Sequence, residues 1–331
     1  MFILMKLIRK KKYVWRVIDL LDHKLDIKHL IGLENTSSED IQKIIDVGFL
    51  FREILDRPIK KVPILNGKNI VNLFFENSTR TKLSFELAEK RLSADVINFS
   101  ASSSSINKGE SFKDTVQNIC SMKMDCVVMR HPVPGSIIQL TDFVDAIVVN
   151  AGDGSHEHPT QALLDMMSIQ EKFKKIKGLK IGIVGDILHS RVALSNIFGL
   201  VKMGAKVKVC GPPHLIQKNI EDLGVSVTYD IDEMLDWCDA INILRIQKER
   251  MGVGIIPSIR EYRKFFGVTY DRIQKFKKEI VIMHPGPMNR GVEVDSQVAD
   301  SAQAIILDQV LNGVAVRMSI LYLLLGNNEL K

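Results

Sequence analysis

The chain is poor in cysteine, proline and aromatic side chains. Its 331 residues include only 4 Cys and 10 Pro, and aromatic residues make up 6%. Ten prolines are too few for a fibrous or linker-rich protein. The cysteines show neither CxxC spacing nor a clustered histidine, so the sequence predicts buried, reduced thiols and indicates no metal site. These thiols are Cys120, Cys126, Cys210 and Cys238.

Long apolar runs are also missing. No segment approaches the roughly 20 apolar residues of a membrane span. Residues 1–5 are too short for the apolar part of a signal peptide, and the basic residues follow them instead of preceding them. We therefore expect a cytoplasmic protein with no membrane partner. The basic run at residues 6–16 could touch a membrane surface or nucleic acid, but we interpret it as a solvated or frayed N-terminal extension.

The charge balance is mixed. A net charge of +6 accompanies 39 acidic residues spread through the sequence, and this modest basic excess suits anionic substrates. A basic nucleic-acid-binding protein is a poorer interpretation, because aromatics are sparse and no base-reading motif occurs.

Apolar, strand-like runs alternate with helical patterns almost throughout, which is typical of parallel sheets with helices on both faces. The predicted strands are residues 70–75, 96–99, 126–129, 146–150, 181–184, 207–210, 225–229, 240–244 and 280–283. The length and the 46% hydrophobic content allow two domains with separate cores. A charged segment with a glycine at residues 171–180 precedes the fifth strand. We predict an α/β fold of two doubly wound parallel-sheet domains, with a hinge near residues 150–178.

Helical patterns also flank the strands at both ends. One covers residues 39–55. The other covers residues 296–325, with a predicted break near Asn312 and Gly313. A long final helix with no strand after it must pack somewhere, and we expect it to cross back to the first domain.

The motif FFENSTRT at residues 74–81 follows a buried strand and opens a helix. Ser78 and Thr79 supply hydroxyls at the predicted N-cap. A helix N-terminus has unpaired backbone N–H groups and a partial positive charge, and Arg80 adds a planar fork for phosphate oxygens. An ordinary capped helix with a surface arginine is the alternative for this motif taken alone.

Three more segments of the first half follow predicted strands. The polar loop at residues 100–115 carries Lys108, and such a loop either closes over an anion or is a disordered linker. Arg130 ends its strand where ligands of open α/β sheets bind, although a structural ion pair is the alternative. His158 and Gln161 lie beside Pro159 at the start of another helix. His156 and His158 lack a third ligand at suitable spacing, which argues against zinc.

The second half carries a possible grip for carboxylates. Arg191 follows one predicted strand, and Arg245 with Gln247 follows another. Two guanidinium groups can bind a dicarboxylate bidentately, although each arginine alone could equally be a surface charge. The turn with Pro285 and Gly286 offers backbone carbonyls to an amine, or is a rigid connector.

In combination, these segments resemble the aspartate carbamoyltransferase catalytic chains of the aspartate/ornithine carbamoyltransferase superfamily. The matching pieces occur in the family's order from about residue 28 to 325. They read FFENSTRT, SSSSINKGE, VMRHP, NAGDGSHEHPTQALLD, GDILHSRVALSN, RIQKER and MHPGPMNRGVE. The family pattern often has a second arginine where this chain has Lys82, and residues 1–27 have no counterpart.

The resemblance implies a role for each matching residue. Residues 1–27 would be an extension, 28–160 a carbamoyl phosphate-binding domain and 161–331 an aspartate-binding domain that includes the crossover helix. The residues implied for carbamoyl phosphate are Ser78, Thr79, Arg80, Thr81, Ser104, Arg130, His158 and Gln161. Those implied for aspartate are Lys108, Arg191, Arg245, Gln247, Pro285 and Gly286. The catalytic residues implied are Arg80, Thr81, Lys108, Arg130 and His158.

The resemblance further implies carbamoyl transfer to the amino group of L-aspartate, an early step of pyrimidine biosynthesis, without metal or cofactor. It implies a homotrimer, because the loop with Ser104 and Lys108 reaches the neighbouring subunit in the family. Assembly with dihydroorotase or a regulatory chain stays open.

Specific residues distinguish this function from two alternative functions. An ornithine carbamoyltransferase should have an HPCQ motif where this chain has HPTQ, and cysteine at Pro285. A non-catalytic scaffold should have lost Arg80, Lys108 or His158, and all three are present.

Overall fold

Each apolar run that the sequence marks as a strand forms one in the structure. The computed structural model describes residues 24–326 except 101–109 and 247–257. The strands are β1 Asn69–Phe74, β2 Asp95–Ser100, β3 Cys126–His131, β4 Ile147–Asp153, β5 Lys180–Val184, β6 Lys206–Cys210, β7 Ser226–Thr228, β8 Ala240–Ile243 and β9 Val281–Met283. The α-helices are α1 Ser38–Leu55, α2 Thr79–Arg91, α3 Phe112–Ser121, α4 Ser136–Thr141, α5 Pro159–Phe173, α6 Arg191–Lys202, α7 Ile231–Trp237, α8 Ile259–Phe266, α9 Tyr270–Ile273, α10 Ser296–Ala299 and α11 Ile306–Leu325.

The described residues form two compact units, each built on one parallel sheet. The first unit contains the residues up to Met167 and those from Leu311 onward, and the second contains Ser168–Val310. Strand order is β2-β1-β3-β4 in the first sheet and β7-β6-β5-β8-β9 in the second. In both sheets the order reverses next to the first strand, which is the doubly wound pattern. The predicted fold class is therefore confirmed, whereas the functional boundary at residues 160 and 161 stays a prediction.

The inner strands of both sheets are largely buried because they are apolar on both faces. Every residue of β8 and of β9 is buried, and β1 is buried from its second residue onward. Strands covered on both faces by helices carry such near-continuous apolar runs instead of an alternating pattern. Asn72 on β1 and Asn242 on β8 are exceptions, since these polar side chains are buried within their strands.

The last helix returns to the first unit, as the sequence predicted. Ser319 donates a hydrogen bond from its hydroxyl to the carbonyl of Ile44 on α1, at 2.7 Å. The rings of Phe51 and Tyr322 meet edge to face with centroids 5.8 Å apart. Helix α11 is long and apolar enough to cross a membrane by length and composition, but most of it is buried inside the structure.

The predicted break near Asn312 and Gly313 is wrong. The helical stretch is interrupted between α10 and α11, at residues 300–305, and α11 continues through Gly313. A side chain at Gly313 would place its Cβ 2.7 Å from the guanidinium of Arg317 and 3.1 Å from Leu164. Glycine is present because two neighbours approach closely, and the helix does not end there.

The cysteine prediction is confirmed for three of the four thiols. Cys126, Cys210 and Cys238 are buried, and Cys120 is half-buried. Burial raises the pKa of the Cys120 thiol to about 11, so this thiol is not activated as a nucleophile.

Candidate active site

The first candidate site lies where the strand order of the first sheet reverses. β1 and β3 are neighbours there, and Phe74 pairs in register with Arg130. The backbone N–H of Phe75 donates to the carbonyl of Arg130 at 2.9 Å. The carboxyl ends of strands at such a reversal form the crevice in which α/β proteins bind ligands. The turn into α2 and the Arg130 side chain therefore share one place.

Helix α2 begins with the residues of the phosphate motif. Ser78 occupies the N-cap as predicted, but within the described residues its hydroxyl makes no capping hydrogen bond. The first turn contains no acidic side chain; Thr79 and Arg80 are exposed, and Thr81 is buried. By contrast, the N-cap hydroxyl of α1 is engaged, since Ser37 accepts the N–H of Asp40 at 3.1 Å. The α2 N-terminus thus keeps the polarity that favours an anion.

The Arg130 side chain, on β3, contacts residues at or near the ends of β4 and β1. Its Nη1 donates to the carbonyl of Ala151 on β4 at 3.2 Å. Its Nε lies 3.3 Å from a carboxylate oxygen of Glu76, in the turn after β1. The Arg130 side chain is 11% exposed, so its guanidinium is held in one orientation at the edge of the crevice.

The Glu157 side chain connects the turn after β4 to the backbone of residues 33 and 34. Its two carboxylate oxygens accept the backbone N–H groups of Leu33, at 2.8 Å, and Glu34, at 3.1 Å. A Cβ at Gly32 would lie 2.1 Å from one of these oxygens. The approach is so close that only glycine fits at position 32.

His158 and Gln161 follow this turn. His158 is buried, and its carbonyl accepts the N–H of Gln161 at 3.0 Å. Helix α5 begins at Pro159, as the sequence predicted. The Gln161 amide donates from Nε2 to Oδ1 of Asp165 at 2.9 Å. His158 and Gln161 thus sit at the start of one helix, next to the end of β4.

The structure brings acidic groups close to His156. Glu34, His156 and Glu157 each place a potential metal-ligand atom within 4.8 Å of the others. The sequence offered no third ligand, because Glu34 is remote along the chain. Both Glu157 oxygens already accept backbone N–H groups, and a hydrogen bond with Asp153 raises the pKa of His156. All three contacts thus lie within or beside the turn and hold it in place.

The second unit repeats the arrangement with arginines. β5 and β8 are neighbours where the order of its sheet reverses. Arg191 is the first residue of α6, after β5, and is buried; Ser190 caps that helix by accepting the N–H of Ala193 at 3.2 Å. Arg245 is half-buried and lies just beyond β8. Both predicted carboxylate-binding arginines therefore follow adjacent strands.

Pro285 and Gly286 follow β9, the next strand of the same sheet. The N–H of Gly286 donates to Nδ1 of His284 at 2.8 Å. His284 and Glu293 are fully buried, with Nε2 of His284 3.4 Å from Oε1 of Glu293. The imidazole thus shapes the turn. The remaining predicted residues, Ser104, Lys108 and Gln247, lie outside the described residues.

Sequence reasoning missed Arg317 on α11. Its guanidinium donates to Ser84 on α2 at 3.0 Å, to Thr160 on α5 at 3.2 Å and to the carbonyl of Gly313 at 2.8 Å. It also lies over the ring of Phe85, 4.9 Å from the centroid. The signal available was a single arginine within an apolar helix, since a buried cation requires partners.

Comparison with known proteins identifies the family of this chain. The model of the aspartate/ornithine carbamoyltransferase carbamoyl-P binding domain matches residues 28–171. The model of the Asp/Orn binding domain of the same enzymes matches residues 177–324. The chain belongs to the aspartate/ornithine carbamoyltransferase family. The family match begins at residue 28, so residues 1–27 lie outside it.

Two similar proteins of this family are catalytic subunits of aspartate carbamoyltransferases. The aspartate carbamoyltransferase catalytic subunit of Christiangramia forsetii is 62% identical over 301 residues, 91% of this chain and 97% of that protein. The corresponding subunit of Cytophaga hutchinsonii is 58% identical over 304 residues, 92% of this chain and 99% of that protein.

Solved structures agree with these sequence relatives. Aspartate transcarbamoylase from Trypanosoma cruzi, in complex with carbamoyl phosphate and aspartate, matches with a TM-score of 0.81 at 30% identity. That match covers 89% of this chain and 95% of the other. The catalytic subunit of M. jannaschii aspartate transcarbamoylase matches with a TM-score of 0.79 at 36% identity, over 92% of this chain and 100% of the other.

Proposed function

We propose that this protein transfers the carbamoyl group of carbamoyl phosphate to the amino group of L-aspartate. The products are N-carbamoyl-L-aspartate and phosphate, an early step of pyrimidine (UMP) synthesis. One observation carries the proposal: in a chain that matches both domain models of the family, anion-binding groups follow adjacent strands at the reversal of each sheet. Carbamoyl phosphate and aspartate are also the ligands in the Trypanosoma cruzi structure.

The first unit is proposed to bind carbamoyl phosphate. The uncapped start of α2 provides backbone N–H groups for the phosphate, with the hydroxyls of Ser78, Thr79 and Thr81 and the guanidinium of Arg80. Arg130, His158 and Gln161 hold the carbamoyl end. From a neighbouring subunit, Ser104 and Lys108 complete the phosphate contacts.

The second unit is proposed to bind L-aspartate. Arg191 and Arg245 pair with its two carboxylates, and Gln247 adds an amide contact. A guanidinium binds a carboxylate through two parallel hydrogen bonds, so this set favours a dicarboxylate over a cationic amine such as ornithine. The carbonyls of Pro285 and Gly286 accept hydrogen bonds from the α-amino group and orient it.

The chemistry then requires positioning and charge stabilisation. The neutral α-amino group attacks the carbonyl carbon, a C–N bond forms, and negative charge develops on the carbonyl oxygen. Thr81, Arg130 and His158 donate hydrogen bonds to this oxygen. The C–O bond to phosphate then breaks with its electron pair on phosphate, whose charge Arg80 and Lys108 stabilise. The proton lost by the amine passes to the departing phosphate or to water. Removal of one such donor typically costs about a hundredfold or more in turnover.

The proposal includes a homotrimer that acts in the cytoplasm, where both soluble substrates occur. Large apolar side chains are exposed next to the proposed phosphate site: Leu83 (59%) and Leu87 (40%) on α2, and Ile97 (44%) on β2. Leu83 and Leu87 lie one helical turn apart, and β2 is an edge strand beside α2. A cluster of this kind on a soluble protein marks an interaction surface, and here its proposed occupant is the next subunit.

Product formation tests the reaction. The purified full-length protein is given carbamoyl phosphate with either L-aspartate or L-ornithine, and the carbamoyl product and released phosphate are measured. We expect carbamoyl aspartate alone. Product with ornithine only would favour the ornithine enzyme, and product with neither amine would support the scaffold alternative.

A further inference from the structure

A buried pair of opposite charges lies within the first unit, outside the proposed catalytic residues. Asp165 on α5 is fully buried, and Arg317 on α11 is 3% exposed. Burial lowers the pKa of Arg317 to about 10, while the charge of Asp165 acts in the opposite direction. Buried ion pairs are often no more stabilising than apolar residues of the same volume. A contribution to folding stability therefore does not by itself explain why the chain has this buried pair.

Asp165 fixes the orientation of the Gln161 amide. The hydrogen bond from Nε2 of Gln161 to Oδ1 of Asp165 is 2.9 Å long and spans one turn of α5. A carboxylate only accepts hydrogen bonds, so the NH2 end of the amide must face it. The carbonyl Oε1 of Gln161 then points away from Asp165. Because the two ends of an amide have nearly the same shape, Gln161 could take either orientation beside a neutral partner.

We propose that Asp165 is a positioning residue that presents the Gln161 carbonyl to the NH2 group of carbamoyl phosphate. The proposal rests on the function proposed above. Asp165 thereby selects carbamoyl phosphate over acetyl phosphate, which has a methyl group in place of the NH2. A site built to hydrogen-bond a substrate N–H rejects an analogue that lacks it.

Arg317 connects this arrangement to the phosphate end. One guanidinium binds Ser84 on α2 and Thr160 on α5. These are the helices whose first turns carry the proposed phosphate and carbamoyl residues. Arg317 thus links the two helices while its charge faces Asp165.

The test is substrate selectivity in Asp165→Asn. The new amide can donate to Oε1 of Gln161, so the Gln161 side chain can turn over and present a donor to the carbamoyl NH2. We expect kcat/KM for carbamoyl phosphate to fall at least about tenfold, because a donor–acceptor pair is replaced by two donors. The inhibition constant of acetyl phosphate, measured in competition with carbamoyl phosphate, should change less than about twofold, since its methyl group makes no such bond. Unchanged selectivity, or equal weakening of both ligands, would overturn the proposal.

Glu89→Gln is the matched control. Glu89 is another fully buried acid of the first unit, hydrogen-bonded to Asn72 on β1 at 2.8 Å, and replacing its carboxyl group with an amide should leave the selectivity unchanged. If Asp165→Asn fails to fold because Arg317 loses its counter-charge, the double variant Asp165→Asn, Arg317→Gln removes both charges, and the same loss of selectivity is expected.

Ligand binding measured by calorimetry tests the role of Asp165 independently of the proposed function. Absence of carbamoyl aspartate with the wild-type protein would contradict the function. The dissociation constants of carbamoyl phosphate and acetyl phosphate can still be measured in that case. If Asp165 has the proposed role, the ratio of the two constants must change in Asp165→Asn.

Discussion

At the scale of single residues, the buried acids of the first unit differ in their partners. Glu157 accepts two backbone N–H groups, and Asp165 accepts an amide and faces an arginine. Glu89 has only the Asn72 amide at one oxygen, and its other oxygen is without a hydrogen bond among the described residues. A carboxylate with so little compensation is most stable in its neutral form.

The pH dependence of stability should therefore reveal Glu89. Burial raises the pKa of Glu89 from 4.5 to about 8. The folded protein keeps this proton at pH values where the unfolded chain has lost it. The contribution is complete below about pH 4.5 and is lost as pH rises towards 8. Glu89→Gln should gain stability relative to wild type across that window, by at most about 1.4 kcal/mol per pH unit.

Urea denaturation at a series of pH values measures this difference. Glu86→Gln is the control on the same helix, because a hydrogen bond from Lys90 lowers the pKa of Glu86. That variant should show no gain towards high pH. A Glu89→Gln profile parallel to wild type would mean that Glu89 ionises normally.

Arg80 is the residue with the clearest expected effect on catalysis. Arg80→Ala should reduce turnover by about a hundredfold or more, since it removes a donor from the departing phosphate. Arg80 is exposed, so the circular dichroism spectrum should not change. Lys90→Ala at the other end of α2 is the control, because it breaks only an exposed ion pair with Glu86. Near-normal turnover in Arg80→Ala would remove Arg80 from the assignment.

The sequence reveals the proposed role of some residues but not of others. Arg80 belongs to a contiguous motif after a strand, so local pattern and helix polarity together point to an anion. Asp165 and Arg317 carry no local signal of that kind. Their pairing joins two helices that are distant in sequence, and only the folded chain shows that they meet.

At the scale of elements, strands were predictable because parallel strands covered on both faces are apolar throughout. Helix interruptions were less predictable. Gly313 looked like a break because glycine is a poor helix former, whereas it fits a close approach of Arg317 and Leu164 within a continuous helix. The start of α2 was placed correctly, but the sequence did not reveal that the Ser78 hydroxyl makes no capping hydrogen bond among the described residues.

Gly313→Ala tests this explanation of α11. Alanine is the better helix former by about 1 kcal/mol, yet the added methyl group would displace a guanidinium that is held by Gly313, Ser84 and Thr160. We expect a net loss of about 1–3 kcal/mol in the free energy of unfolding, measured by urea denaturation. Leu307→Ala is the control on the same helix, because Leu307 is 83% exposed. A stabilised Gly313→Ala protein would mean that Arg317 moves without cost.

At the scale of the whole molecule, the proposed trimer has a direct test. Arg80 and Lys108 would act in one site but come from different subunits. Arg80→Ala and Lys108→Ala proteins should each be inactive. Subunits mixed in equal amounts after dissociation should regain about a quarter of wild-type activity, because about three quarters of the trimers are mixed and each of these has one intact site out of three. Light scattering gives the mass before and after mixing. Mixtures that stay inactive while exchanging subunits would place both residues in one chain.

The first unit is assembled from two stretches that the whole second unit separates along the chain. Arg317 and Ser319, near the C-terminus, bind groups on α2 and α1 that were synthesised far earlier. Domains generally fold as units while the chain emerges from the ribosome. Because the first unit needs residues from Leu311 onward, we expect it to close only after the whole second unit has been synthesised. The phosphate motif is translated early, yet the unit that carries it is the last to close.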